Sequence, residues 1–336
     1  MRIAPIGLAA VIAAMLCSTV LTAARAQEFY AAKTIRMYVG FAPGGGYDIY
    51  ARALARYMGG FIPGRPTIVT ENMPGAGGLR LANFMAQVAP QDGLALAVIS
   101  EGGLLEQLYG NPAVQFDAAK FGWFGRMVSS TSLYFTWHAS PTKSFADLRQ
   151  RKTPFGSTGA GNTDMFPKAM NKLAGAQFGI IAGYQGSNEI YLAVERGEVE
   201  AAVGHYVTLR NTKQDWLRDG KITPIVVVSP TRLVDLPNVP TMAEMGLTAE
   251  DRSVLALLSE AQLGRSYHTP PNVPAERVAL LRKAFMATMQ DDAFLKDAKQ
   301  QKLVLEIMSG EETQQTVERL LSTPKAIVQK ALEAVK

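Results

Sequence analysis

The stretch GFAPGGGYDIYAR, Gly40 to Arg52, is where the fold is decided. Upstream of it, Ile35, Met37 and Val39 alternate with Arg36 and Tyr38, which is the period of a strand. Downstream, Tyr50, Leu54, Tyr57, Met58 and Phe61 recur at helical spacing until Gly59, Gly60 and Pro63 end the run. Three glycines between a strand and a helix permit positive φ and close backbone approach, and the helix start presents free N–H groups at the positive end of its dipole. Such a turn can cradle an anion. It can equally be a tight turn with Asp48 as the helix cap, and one loop leaves both readings open.

Working outward, Thr67 to Thr70 reads as a second strand, Leu79 to Val88 as a helix and Leu94 to Ile99 as a third, apolar strand. Strand and helix alternate, and the strands are nearly continuous apolar runs, which predicts an α/β unit with a parallel sheet covered on both faces. A second unit repeats the pattern. Ser132 to Trp137 reads as a strand and Phe145 to Arg151 as a helix. Pro154-Phe155 runs into GSTGAGN, and a helix follows to about Leu173. Next come the strand Phe178 to Ala182, the loop GYQGSNE and a helix to Arg196. Ala201 to Val203 and Ile225 to Val228 supply two further strands. Beyond the Pro-rich HTPPNVP, Val278, Leu281, Phe285 and Met289 mark a helix, and Glu312 to Leu321 reads as the last one.

Glycine clusters at Gly44 to Gly46, Gly75 to Gly78, Gly156 to Gly161 and Gly183 to Gly186 all fall where strands end and helices begin. In open α/β sheets, ligands bind at those carboxyl ends. Four such turns in two units favour a shared cleft whose walls are backbone donors, suited to a carboxylate, phosphate or sulfate. Ser100, at the end of the third strand, belongs to the same set.

Enzyme motifs do not complete. Neither Gly44-Gly45-Gly46 followed by Ile49 nor Gly75 and Gly77 followed by Arg80 makes G-x-G-x-x-G. Ser157 lies in GSTG and fails G-x-S-x-G. His138, His205 and His268 are far apart and lack metal-ligand spacing. The expectation is a protein with no catalytic residues, no metal and no cofactor.

The chain opens with Met1-Arg2, stays uncharged from Ile3 to Ala24, and then offers Ala24-Arg25-Ala26 before Gln27, the pattern of a secretory signal peptide over residues 1–26. The single cysteine, Cys17, lies inside that leader and is preceded by Leu16, where lipidation wants a small residue. The remaining 310 residues carry no thiol, so the fold must hold by burial. With 48% apolar residues, that length points to two domains rather than one core. Without Arg2 and Arg25 the formal charge falls from +5 to +3, with no basic run, which gives no support for nucleic-acid binding.

The combination of the leader, GFAPGGGYDIYAR, ENMPGAGG, Asp92-Gly93, GSTGAGN, GYQGS and VVVSPTRLVDLPNVPTMAEMG resembles the TctC/Bug family of periplasmic solute-binding receptors of tripartite tricarboxylate transporters, over nearly the whole mature chain. The resemblance implies a two-domain flytrap fold, each domain a sheet flanked by helices. The first domain would be residues 27–128 plus 253–336 and the second 129–252. It implies a small organic acid, a carboxylate, held between the domains by loop amides, hydroxyls and water. It also implies a periplasmic monomer serving membrane permease subunits.

Transferred to this chain, the site residues implied are Gly44, Gly45, Gly46, Tyr47, Asp48 and Ser100 in the first domain. In the second they are Ser157, Thr158, Gly159, Tyr184, Gln185, Gly186 and His205. Tyr47 stands where smaller residues are common in the family, and is expected to narrow the pocket or stack on a planar ligand. His205 stands where relatives often carry an acid, and would favour a negative or polar distal group if it faces the ligand. The segment Ser253 to Leu263 with GRSYHTPPNVP departs most from the family pattern, which usually has an aromatic residue and a PAGTP-like turn. Two other readings share these residues: a periplasmic adaptor for a sensor protein, and an exported hydrolase or isomerase.

Overall fold

The computed structural model describes residues 29–99, 101–159, 161–184, 186–261 and 263–336. The leader and the site expectations at Ser100 and Gln185 lie outside the described residues. The chain divides into two compact units. The first holds the described residues up to Gly103, Pro112–Val128 and Arg265–Gln315; the second holds Leu104–Asn111, Ser129–Gly264 and Thr316–Lys336.

In chain order the elements are β1 (Thr34–Val39), α1 (Gly46–Met58), β2 (Thr67–Asn72), α2 (Leu79–Gln87), β3 (Ala95–Ile99), α3 (Glu101–Leu108), β4 (Gly122–Arg126) and β5 (Ser132–Trp137). Next are α4 (Phe145–Gln150), β6 (Thr153–Ser157), α5 (Met165–Ala174), β7 (Phe178–Ala182), α6 (Ser187–Glu195), β8 (Ala201–His205), α7 (Tyr206–Thr212) and α8 (Gln214–Arg218). The rest are β9 (Ile222–Val228), α9 (Ala249–Glu260), β10 (Ser266–Thr269), α10 (Ala275–Met289), α11 (Asp292–Gln300), β11 (Met308–Ser309), α12 (Gly310–Leu321) and α13 (Lys325–Ala334).

The first sheet has the order β11-β4-β10-β3-β1-β2 and the second β7-β6-β8-β5-β9. Only part of each is parallel. Strands β2, β1 and β3 run together, but β10 pairs antiparallel with both β3 and β4, and β11 antiparallel with β4. In the second unit β5 is antiparallel to β8 and β9. The expectation of parallel sheets is therefore corrected to mixed ones. In the first sheet, β4 (GWFGR) and β10 (SYHT) are short and mixed in composition, and it is packing against neighbouring strands that buries them.

The end of the chain is shared between the units: Arg265–Gln315 lies in the first, and α9, as far as Gly264, and residues 316–336 lie in the second. There α9 starts with a capping box between Thr248 and Asp251, and Lys330 of α13 pairs with Glu250 and Asp251 at 2.7 and 2.9 Å. Helix α12, expected to be the last, is followed by α13.

Each unit has its own core. In the first, Ile35, Met37, Leu54, Met58, Phe124, Tyr267, Phe285 and Phe294 are buried together. In the second, Trp216 meets Phe135 and Tyr191 edge-on, at centroid separations of 5.8 and 5.3 Å, an arrangement that adds quadrupole attraction to area burial. Helix α10 lies against β4 at a glycine: a Cβ on Gly125 would fall 2.2 Å from a ring carbon of Phe285. Gly125→Ala is accordingly expected to lower stability by about 1–3 kcal/mol, read from urea unfolding. An unchanged midpoint would mean that Phe285 has room to move.

Candidate functional site

In the first unit, the parallel strands β1, β2 and β3 bring Val39, Asn72 and Ile99 to one edge of the sheet. The glycine loop leaves β1 at that edge. Gly44 has φ +82°, a left-handed conformation that a side chain resists, and Gly45 precedes α1 with no side-chain cap. Residues Pro43 to Gly46 are exposed. The first N–H groups of a 13-residue helix therefore open from glycine backbone, with no Cβ beside them.

Asp48 does not cap the helix in the expected sense. It is 3% exposed, and its carboxylate reaches back to accept the Gly44 N–H at 2.8 Å, outside the helix. Arg52 Nε donates to both oxygens at 3.0 and 2.9 Å, and Asn72 Nδ2 donates to Oδ1 at 2.8 Å. Asn72 also donates to the Phe41 carbonyl at 2.9 Å, and its own oxygen accepts from Arg52 at 2.8 Å. Burial opposes the charge, but the hydrogen bonds from Arg52, Gly44 and Asn72 and the Arg52 charge outweigh it, so the carboxyl is lowered to about 2. Asp48 is thus a strut that fixes the loop from behind, between β1, α1 and β2.

Tyr47 is half-buried and stacks on Phe41, with ring centroids 4.5 Å apart. The guanidinium of Arg265 lies 4.7 Å from the Tyr47 centroid and 5.8 Å from that of Tyr50. Arg265 was not singled out by sequence reasoning. Its signal is topological: it sits just before β10, whose Ser266 lies opposite Ile99, so an antiparallel strand returns it to the carboxyl edge of β1 to β3.

In the second unit, the ends of β6, β7, β8 and β9 share an edge with the start of β5, where Ser132 faces His205 and Val228. Ser157 is fully buried, and its hydroxyl works within its own loop, accepting from the Gly159 N–H at 2.9 Å and donating to Thr163 Oγ1 at 3.3 Å. Thr163 Oγ1 also accepts the Thr158 N–H at 3.1 Å. Tyr134 donates to the Asn162 carbonyl, and Asn162 Nδ2 to Ser132 at 3.1 Å.

Gly159, with φ +79°, is left exposed. The Tyr184 N–H donates to the Ser157 carbonyl at 3.4 Å, joining the loops after β6 and β7. Gly186 precedes α6 in an extended conformation, and exposed His205 ends β8. The structure thus gathers the described expected residues of each unit at that unit's strand ends. Asn162, Ser132 and Asn72, which hold the loops, were missed because their partners lie 24 to 30 positions away, and Thr163, whose partners are local, was missed because a lone threonine carries no pattern.

Both edges share a logic. Side-chain hydroxyls and one buried carboxylate are spent on shaping the loops, and glycine backbone is among what is left exposed. Among the described residues, no group of three or more His, Cys, Asp or Glu is placed to hold a metal ion. An open groove of about 560 Å³ is lined by Tyr206, Arg210 and Asp235, and its Arg210 is paired with Asp235 at 3.0 Å.

The family profile described as "Tripartite tricarboxylate transporter family receptor" matches residues 51–332. A Cupriavidus necator protein named "UPF0065 protein in gbd 5'region" is 27% identical over 342 positions, covering 98% of this chain and 96% of that protein. Among solved structures, a TctC solute binding protein from Polaromonas superposes with a TM-score of 0.69 at 19% identity, covering 90% of this chain and 99% of that one. An R. palustris protein solved with adipate gives 0.58 at 20% identity, covering 90% and 97%. These likenesses establish the fold as that of the two-domain solute-binding proteins.

Asp48 ties the loop to acid stability. Its folded value lies below the unfolded one of 3.8, so its contribution is present above pH 3.8 and lost as pH falls toward about 2. Asp48→Asn is expected to cost roughly 1–2 kcal/mol at neutral pH, discounted for the solvent-exposed Arg52 partner. In melts across pH 2–5, the gap between variant and parent should close through that window. A gap that stays constant would show that the charge is not what holds the loop.

Proposed function

Since the chain belongs to the tripartite tricarboxylate transporter receptor family, we propose that it is a non-catalytic periplasmic receptor for a small organic carboxylate, which it delivers to membrane permease subunits. The first 26 residues would export it. The observation that carries the ligand class is the Pro43–Asp48 loop, exposed glycine backbone at the start of α1 braced by a buried, ionised carboxylate. A helix N-terminus of this kind favours an anion by a dipole contribution of about 0.3–2 kcal/mol depending on burial, and the backbone N–H groups add direct hydrogen bonds.

In the first unit the residues assigned to the ligand are Gly44, Gly45, Gly46 and Tyr47, with Asp48 as the brace. In the second they are Thr158, Gly159, Tyr184, Gly186 and His205, with Ser157 shaping the loop. The relative solved with adipate supports a dicarboxylate as the first class to test. An amide-lined site reads charge and reach more than the details of the carbon skeleton, so related acids should bind with graded affinity.

The test is a thermal-shift series with adipate, malate, succinate, citrate, benzoate, glutamate and glucose. At least one acid at a hundredfold excess over its dissociation constant should stabilise by about 2.7 kcal/mol, several degrees for a protein of this size, whereas glucose should not. A shift with glucose and none with any acid would overturn the carboxylate assignment. Turnover of a bound acid, rather than its unchanged recovery, would overturn the non-catalytic one.

A further inference from the structure

We propose that His268 is an acid-sensitive latch in the first sheet: with its ring neutral, β10 joins the two halves of that sheet, and a proton on the ring releases the strand. The device is independent of what the protein binds.

The place of the strand gives one side chain this leverage. In the order β11-β4-β10-β3-β1-β2, β10 is the seam between β11-β4 and β3-β1-β2. It has four residues, Ser266 to Thr269, all of them buried. His268 lies opposite Ala97 of β3 and Trp123 of β4, and the register with β4 shifts between Tyr267 and His268. The histidine therefore sits where the ladder is already irregular.

The ring is fully buried. It stacks on Phe121 with centroids 4.3 Å apart and planes 21° from parallel, and the Trp123 ring is 5.0 Å away. The Trp123 indole gives its N–H to the Ala118 carbonyl at 2.9 Å. His268 Nδ1 lies 3.0 Å from the Thr269 carbonyl. A carbonyl only accepts, so Nδ1 carries the hydrogen of the neutral ring and Nε2 keeps a bare lone pair. Nε2 is buried and has no hydrogen-bond partner among the described residues. A proton arriving there makes a cation whose new N–H has no acceptor, and the ring must leave the stack to be solvated.

The surrounding charges do not offset this. Strand β3 carries no titratable group, and β4 carries only Arg126, across the ladder from Ser266. On β10 itself Tyr267 donates to Met127 Sδ at 3.3 Å, and Arg265, just before the strand, lies over Tyr47. Ahead of β4, Asp117 and Lys120 pair at 3.7 Å. On α10, Arg277 donates to the Asp92 carbonyl and Arg282 to that of Trp123, with Glu311 of α12 on Arg282 at 3.3 Å. Glu312 of α12 accepts from Ser309, and Arg80 of α2 donates to the Pro74 carbonyl. What acts on the ring is burial, which opposes the cation, and the Thr269 carbonyl, which favours it. Burial wins, and the ring is lowered to about 4.

In the unfolded chain the histidine returns to its ordinary 6.5. Above pH 6.5 both states are neutral and the stability is whole. As pH falls from 6.5 toward about 4, the released ring takes up a proton that the folded one refuses, and stability is lost. This window lies above that of Asp48, which acts below 3.8.

Urea unfolding of the purified protein and of His268→Phe between about pH 7.5 and 4.5 tests this, alongside an NMR titration of the histidine ring C–H signals in the folded parent. Below pH 6.5 the folding constant of the parent should fall relative to the variant by up to about tenfold per pH unit. The ring signal that the variant lacks should stay unshifted in the folded parent down to about pH 5. Deuterium uptake, corrected for the intrinsic change of rate with pH, should rise on acidification in β10 and β4 more than in β1, and only in the parent. A signal shifting about pH 6.5 in the folded protein overturns the proposal, as do parallel pH courses of parent and variant. Uptake rising equally in β1 overturns the release of β10. Should His268→Phe fail to fold, His268→Gln, which also carries no titratable group, takes its place in the unfolding and exchange measurements.

Discussion

The carboxylate of Asp48 is buried and charged at once, and the geometry of the first unit's strand-end loop follows from how that is reconciled. An unpaired carboxylate in such a place would cost several kcal/mol and would protonate instead. Here the Gly44 N–H, the Arg52 guanidinium and the Asn72 amide all point at it. Those three groups come from the glycine loop, from α1 and from the end of β2. One charge therefore fixes the loop against the helix that follows it and against the neighbouring strand.

That constraint explains a division of labour seen in both units. Polar side chains at the strand ends are mostly turned inward: Ser157 and Thr163 satisfy the loop after β6, as Asp48 and Asn72 satisfy the one after β1. What is exposed includes Pro43 to Gly46 in one unit and Gly159 and His205 in the other. Backbone donors at helix starts recognise negative charge with little regard for the skeleton that carries it. A family built this way can change its acid by changing the few side chains around a constant cradle.

Much of the architecture was readable in advance. The strand limits of β1, β5 and β7 follow from alternation or apolar runs, and the loops from their glycines, because these signals are local. The elements that were missed, among them α3, β4, α9, β10 and α11, lack a clean periodic face or lie in segments rich in glycine, serine and charge. Their burial is decided by partners far along the chain. His268 shows the same limit from the other side: an isolated histidine in the sequence, it is fully buried against Phe121, with centroids 4.3 Å apart, and burial lowers its pKa to about 4.

By itself the sequence determined that there are two α/β units, that glycine-rich turns stand at their strand ends, and that these turns suit an anion, since period, composition and the conformational freedom of glycine are properties of neighbouring residues. Only the tertiary structure decided which side chains serve those turns. Asn72 reaches Asp48 across 24 positions, and Arg265 comes to Gly46 by way of an antiparallel strand whose direction no local pattern announced. Hydrogen bonds and cation–π contacts act over a few ångströms of space, and separation along the chain gives no measure of that distance.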